Sequence, residues 1–342
     1  MKLVTFQVDD VERLGALVDD TVVDLNLYYM SYLAGERVSQ IKMGSLDMME
    51  RAIMGIVSKM EVKAREELPG RMMDFLRLGD EAMNRAGKSL KRMTEVSGRG
   101  LPDDVVCKLS DVTLKAPISW PGKILCLAGN YAEHIREGGR DVPGKERMSP
   151  LVFMKPNTAI IDPEQPIVIP KKGNRIDWEA ELAVVIGKKG KYIKQEQAYD
   201  YVAGYTIMND VSERKLLIDK DRKETERSKF FDWLNGKWMD TFAPMGPCIV
   251  TRDEIDDPHD LSIQLRVNGE VKQDSNTGNM IFRIPELIEF ASRLMTLEPG
   301  DIISTGTPSG VGSSTGTFLK DGDVVEVEIE NIGVLKNTVE AE

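Results

Sequence analysis

From residue 122 to residue 337, strand-like runs follow one another with few helical stretches between them. They include GKILCLAG (122–129), PIVIP (166–170), ELAVVIG (181–187), YVAGYTIMND (201–210), LSIQLRVNGEVKQ (261–273), GDIISTGTP (300–308) and GDVVEVEIENIGVLKN (322–337). A doubly wound parallel sheet needs a helix between successive strands, and this order does not supply them. A mostly-β, mixed-sheet domain of the α+β class fits instead. Asn268-Gly269 between two β runs is a hairpin signal. One convincing helix stands in this half, in RIPELIEFASRLMTLEPGD (283–301), with Pro285 near its start.

The first third reads differently. Residues 1–26 suggest short strands around Asp9-Asp10 and Asp19-Asp20 turns. Residues 27–98 are rich in Met, Leu, Glu, Arg and Ala at helical spacing and predict three or so helices. Their methionines read as adaptable core filler. A polar linker, EVSGRGLPDD, covers 95–104. The expected division is 1–117 for the N-terminal region and 118–342 for the strand-rich domain.

Charge and cysteine usage remove several function classes. A formal net charge of −11 argues against sequence-independent nucleic-acid binding, which needs a basic face. No apolar run approaches the roughly 18 residues of a membrane helix. The start, MKLVTFQVDD, lacks a signal-peptide apolar core. Cys107, Cys126 and Cys248 are widely spaced and read as reduced thiols, which predicts a cytoplasmic protein. Any general-base histidine is His134 or His259, because the chain has only 2. His259, in DDPHDLS, reads as a surface turn residue without a role.

Two carboxylates sit awkwardly in DWEAELAVVIGKKG (177–190). Glu179 and Glu181 are two apart, so in a strand both point to one side, beside an apolar segment. Like charges there repel. One carboxyl can keep its proton, each can pair with Lys or Arg, or a cation can lie between them. An isolated E-x-E is most often a solvated strand face. Asp210, at the end of the apolar run AGYTIMND, offers a third hard oxygen. Three such ligands suit Mg²⁺ or Mn²⁺, with Ca²⁺ also admissible, and leave coordination positions for a chelating substrate.

In ILCLAGNYAEHIREGG (124–139), strand, Gly turn and short helix follow in order, with Asn130 as the expected N-cap. His134 and Glu137 are three apart and share a helix face, the arrangement of a general base held by a carboxylate. An ordinary surface pair has the same spacing. The polar stretch after it reads as a lid or as a plain connection. STGTPSGVG (304–312) offers backbone N–H groups to an anion but lacks a P-loop's Gly-Lys-Ser/Thr. In NGKWMDTFAPMGP (235–247), Lys237 and Asp240 read most simply as a structural pair.

Seven segments in order carry a resemblance: GNYAEHIRE, FMKPNTAI, DWEAELAVVIG, AGYTIMNDVSER, GKWMDTFAPMGP, VNGEVKQDSNTGNMIF and LEPGDIISTGTPSGVG. From about residue 118 onward the chain resembles the fumarylacetoacetate hydrolase family. The resemblance implies a mixed β-sandwich roll, usually a homodimer. It implies a divalent metal at Glu179, Glu181 and Asp210, and His134 and Glu137 as the dyad on a lid helix, with Lys237 catalytic. It implies substrate binding by Tyr131, Arg214, Gly306 and Thr307. The activity implied is metal-dependent hydrolysis of a C–C bond in a 2-oxo or β-diketo carboxylic acid. The alternative is a lyase or isomerase on related acids: an oxaloacetate-type decarboxylase, a 2-hydroxy-dienedioate isomerase, a 2-keto-3-deoxy sugar acid dehydratase or a ureidoglycolate lyase. A non-catalytic binding protein is the reading from another class. The partner expected is a small carboxylic acid, with no nucleic acid and no membrane. Two departures bear on substrate: small members carry Gln three residues after the Arg matching Arg214, where this chain has Leu217, and the 27–98 insertion lies outside the minimal core.

Overall fold

The computed structural model describes residues 1–38, 46–95, 104–139, 141–216 and 223–342. Most of the 95–104 linker and Leu217 lie outside the described residues. The chain divides into two compact units, Met1–Leu114 and Lys115–Glu342.

In the first unit, strands Lys2–Val8, Val11–Val18 and Thr21–Asp24 form an antiparallel meander. Its turns place Asp9, Asp10 and Asp19 at φ of 49°, 61° and 50°, a region Asp tolerates through local hydrogen bonding. Four helices follow among the described residues: Leu25–Val38, Leu46–Glu67, Met72–Leu78 and Asp80–Glu95. The chain then returns as Val106–Lys108 to pair with Thr21–Asp24, so the helical region is an excursion between neighbouring strands. Met72 and Met93 are buried fillers, as their composition suggested, whereas Met54 is 73% exposed and fills nothing. Among the described residues, no helix is long and apolar enough to cross a membrane.

The second unit is an α+β sandwich. One sheet runs in the order Ala243–Thr251, Val202–Asn209, Ala180–Ile186, Ile302–Ser304, Ile124–Ala128, Leu151–Lys155. Its pairings are antiparallel except that Ile302–Ser304 runs parallel to Ile124–Ala128. The other sheet runs Glu270–Asn276, Ser262–Val267, Val324–Ile329, Gly333–Ala341, Ile167–Ile169. Strand burial separates the two. Val324–Ile329 alternates, as expected of a sheet with one wet face, while Ala180–Ile186 and Val202–Asn209 are buried at every residue. The sheets pack face to face, Ala243–Thr251 on Gly333–Ala341 and Ala180–Ile186 on Ser262–Val267. Asn268 and Gly269, at φ of 51° and 79°, make the expected hairpin turn. Helix Ile284–Leu294 has Pro285 in its first turn.

His259 corrects its sequence reading. It is only 7% exposed, and its Nε2 accepts the Ile284 N–H at 3.1 Å, capping that helix. Its Nδ1 lies 3.4 Å from the Tyr199 hydroxyl and from Asp257 Oδ1. Burial lowers its pKa, and Arg283 adds to the shift. An Nε2 acceptor requires the neutral ring. With the folded value below the unfolded value of about 6.5, stability is lost as pH falls below that value and levels off beneath the folded one. Thermal melts at pH 7.5 and pH 5 should therefore show a larger drop for wild type than for His259→Gln, which cannot titrate.

Candidate active site

Strand register assembles the acids. Ala180 pairs with Asn209 and Glu181 with Met208, which brings Glu179 opposite Asp210, whose N–H donates to the Glu179 carbonyl at 2.9 Å. Glu179 and Glu181 alternate with Trp178, Ala180 and Leu182, which are packed at 1% exposure or less. Glu179, Glu181 and Asp210 each present one carboxylate oxygen to a common spot where the three atoms lie within 4.8 Å of one another. All three residues are buried.

Cations compensate this charge unevenly. Lys237 Nζ bridges Glu179 Oε2 at 2.8 Å and Asp210 Oδ2 at 2.6 Å. Arg214 reaches Glu179 Oε1 at 2.5 Å and Asp177 Oδ2 at 2.7 Å. Burial alone would raise the Glu179 carboxyl, but Lys237 and Arg214 outweigh it and bring it down to about 2. Burial would likewise lower the Lys237 ammonium, and Asp210 and Glu179 reverse that and raise it. Glu181 has no such partner. Its Oε2 accepts from the Ser304 hydroxyl at 2.5 Å and the Gly306 N–H at 2.9 Å, and its Oε1 has no hydrogen-bond partner. Burial, then the charges of Asp210 and Glu179, push its carboxyl well up. The two glutamates are therefore neither separated nor each neutralised by its own base. A buried carboxylate oxygen left unpaired beside two further acids fits a hard divalent cation held by Glu179, Glu181 and Asp210.

The dyad stands on helix Ala132–Glu137, where His134 Nδ1 meets Glu137 Oε1 at 3.0 Å. Glu137 Oε2 also accepts the Gly310 N–H at 2.9 Å, tying the helix to the Gly-rich turn. Gly310 has φ of 100°, and a Cβ there would lie 2.1 Å from the Lys272 carbonyl, so only glycine fits. Asn130 is not the N-cap, which is Tyr131. Its buried amide instead donates to the Phe282 and Thr305 carbonyls and accepts the Phe282 N–H, because these two buried segments need polar partners.

One cavity of about 790 Å³ is lined by His134, Glu179, Arg214, Lys237 and Thr307, among others. Thr307 Oγ1 accepts from Gln273 Nε2 at 2.8 Å. The Gly306 N–H is directed to Glu181, and Tyr131 is buried with its hydroxyl unpartnered, close enough to Glu181 to feel its charge. Asp240 is exposed, so the partners of Lys237 are the cluster acids rather than its chain neighbour.

Three residues of this site were not singled out in the sequence reading. Lys155, fully buried, holds Asp210 Oδ1 at 2.6 Å. Its signal was a lone cation closing the apolar run LVFMK. Gln273 joins the Ala180 N–H to Thr307 and has no distinguishing local pattern. Asp177, fully buried, accepts the Gly312 and Ser313 N–H groups at 2.6 and 3.0 Å while holding Arg214. Asp177→Asn should destabilise the fold by about 3–5 kcal/mol, the usual result of removing one member of a buried ion pair. Denaturant unfolding measures it, and a KM rise larger than the kcat loss would report the lost aim of Arg214.

Residues 123–340 match the family model of the fumarylacetoacetate (FAA) hydrolase C-terminal domain. A mitochondrial oxaloacetate tautomerase of Xenopus laevis is 45% identical over 274 residues, covering 80% of this chain and 79% of that protein. Among solved structures, a fumarylacetoacetate hydrolase from psychrophilic Exiguobacterium antarcticum matches at 30% identity and a TM-score of 0.71, with 100% of both chains covered. A maleylpyruvate hydrolase from Sphingobium sp. SYK-6, in complex with manganese(II) and pyruvate, matches at 28% identity and a TM-score of 0.66, covering 100% of this chain and 99% of the other.

Proposed function

The chain belongs to the fumarylacetoacetate hydrolase family, and from that premise we propose that it tautomerises a short 2-oxo dicarboxylic acid of the oxaloacetate type. The observation that carries this reading is the convergence of the Glu179–Glu181–Asp210 cluster and the His134–Glu137 dyad on one cavity. The name of the Xenopus relative supports oxaloacetate, and the manganese and pyruvate of the Sphingobium structure support a divalent ion and a 2-oxo acid.

A divalent cation held by Glu179, Glu181 and Asp210, Mg²⁺ or Mn²⁺, would offset the negative charge that develops on the 2-oxo oxygen during enolisation. Arg214 and the Thr307 turn orient the substrate carboxylate. Lys237 keeps Glu179 ionised and holds it in line with Asp210. Glu137 fixes His134 through Nδ1 and leaves Nε2 to carry a proton between the enol oxygen and the adjacent carbon. Deprotonation at oxygen and protonation at carbon need only one base, and His134 is the histidine that lines the cavity. Hydrolysis of an acylpyruvate is the second reading. It is favoured by the partial exposure of the dyad, 16% and 19%, which admits water as a nucleophile.

The test mixes the Mg²⁺-loaded protein with enol oxaloacetate and follows the loss of enol absorbance, with pyruvate release and acylpyruvate cleavage assayed in parallel. Acceleration of none of the three, or acceleration undiminished by chelator, sinks the reading. Homodimer assembly is a further proposal, checked by sedimentation. So is residence in a reducing compartment, which three thiols support and which includes both cytoplasm and mitochondrial matrix.

A further inference from the structure

The cavity exceeds what a four-carbon keto diacid fills. Its volume of about 790 Å³ lies in the range of pockets that enclose drug-sized ligands. One wall of it is helix Glu226–Asn235, none of whose residues is buried. Glu226, Lys229, Phe230 and Trp233 all line the cavity, and their spacing puts them on one helical face.

The rings of that face continue inward. Phe230 and Trp233 lie 5.9 Å apart, and Trp233 meets Phe153 edge-on at 5.2 Å and 71°. The Phe153 ring in turn lies 5.2 Å from Lys237 Nζ, the ammonium that bridges Glu179 and Asp210. A row of three aromatic rings therefore runs from the solvent side, where Phe230 is 57% exposed, to the acid cluster. Lys229, the cation of that helix face, already lies 2.9 Å from Glu226. Such a wall suits an uncharged planar group better than a second carboxylate. Rings stack or meet edge-on with planar groups, and each contact adds to what apolar burial supplies.

We propose that Phe230, Trp233 and Phe153 form a distal subsite for the aryl tail of a 2-oxo acid whose keto-acid head occupies the Glu179–Glu181–Asp210 end. The proposal rests on the function proposed above for the 2-oxo acid head and places an aryl group where oxaloacetate carries its second carboxylate. Phe230 and Trp233 then determine specificity, and Lys237 marks the junction of the two halves.

The experiment uses the full-length, Mg²⁺-loaded protein. Oxamate and N-phenyloxamate, unreactive analogues that differ by one ring, are titrated calorimetrically. Enol-to-keto conversion of oxaloacetate and phenylpyruvate is measured for wild type, Phe230→Ala, Trp233→Ala and Trp233→Phe. Wild type should bind N-phenyloxamate at least about tenfold more tightly than oxamate. The ratio of kcat/KM for phenylpyruvate over oxaloacetate should fall about fivefold or more in each alanine variant and recover in Trp233→Phe. Equal binding of the two analogues by wild type, or an unchanged ratio in folded variants, overturns the subsite. If a variant fails to fold, the two analogues on wild type decide alone. Failure of the head assignment looks different, since wild type would then bind neither analogue and convert neither acid.

Discussion

Glu181→Gln should abolish the response of the protein to divalent cations while leaving the metal-free fold at least as stable as wild type. Glu181 is fully buried, with one oxygen satisfied by Ser304 and Gly306 and the other unpaired. An amide oxygen can keep the Ser304 and Gly306 contacts, and the neutral group ends the repulsion from Asp210 and Glu179. Metal at 100 times its Kd stabilises a fold by about 2.7 kcal/mol, and nearly all of that gain should vanish in the variant. Affinity should fall at least roughly 100-fold, since disturbing even an outer partner of a ligand costs 10–100-fold. The sign with pH follows from burial and the neighbouring acids, which raise the Glu181 carboxyl. A raised acid adds stability below its unfolded pKa of about 4.3 and loses it as pH rises towards the folded value. Metal binding expels that proton, so wild-type affinity climbs with pH.

The same exchange two residues earlier should act in the opposite direction. Glu179→Gln leaves Arg214 and Lys237 with one anion fewer in a buried setting, a loss of about 3–5 kcal/mol. With its carboxyl down at about 2, Glu179 adds stability above its unfolded pKa of about 4.3, and that stability fades as pH falls towards the folded value. Urea titrations of the two variants without metal separate them. Equal destabilisation would mean that Glu181 is an ordinary structural acid.

The architecture was legible where local chemistry decides it. Strand runs without intervening helices excluded a doubly wound sheet, Asn268-Gly269 fixed a hairpin, and Pro285 marked a helix start. The acid cluster was half legible. The two-residue spacing of Glu179 and Glu181 was visible, but their convergence with Asp210 depends on a register that pairs Ala180 with Asn209. What stayed hidden depends on distant partners. Lys155 is 55 residues from the carboxylate it holds, and Asp177 takes N–H groups from a loop 135 residues on. Asn130 and His259 misled for one reason: each resembles a local turn or cap residue, and each spends its polar atoms on a segment far along the chain.

His134→Ala should lower kcat by roughly 10²–10⁴-fold, the usual range for removing a general acid–base, with metal affinity retained. Glu137→Gln discriminates between two roles of the dyad. Glu137 accepts the Gly310 N–H at 2.9 Å as well as facing His134 Nδ1 at 3.0 Å, so it could serve only to fasten the helix. Burial would raise its carboxyl, and the hydrogen bonds from His134 and Gly310 more than reverse this and lower it. It thus stays ionised at neutral pH and accepts a hydrogen bond from Nδ1–H. Glutamine can keep the Gly310 bond through its oxygen, but it then turns an NH₂ towards Nδ1. That arrangement selects the tautomer whose proton sits on Nε2, the atom that must accept one. If the dyad moves protons, Glu137→Gln should match most of the His134→Ala loss, and the double variant should be no worse than either, because residues acting as a unit are not additive. If Glu137 is only a fastener, Glu137→Gln should retain kcat, and only Glu137→Ala, which loses the tether, should fall.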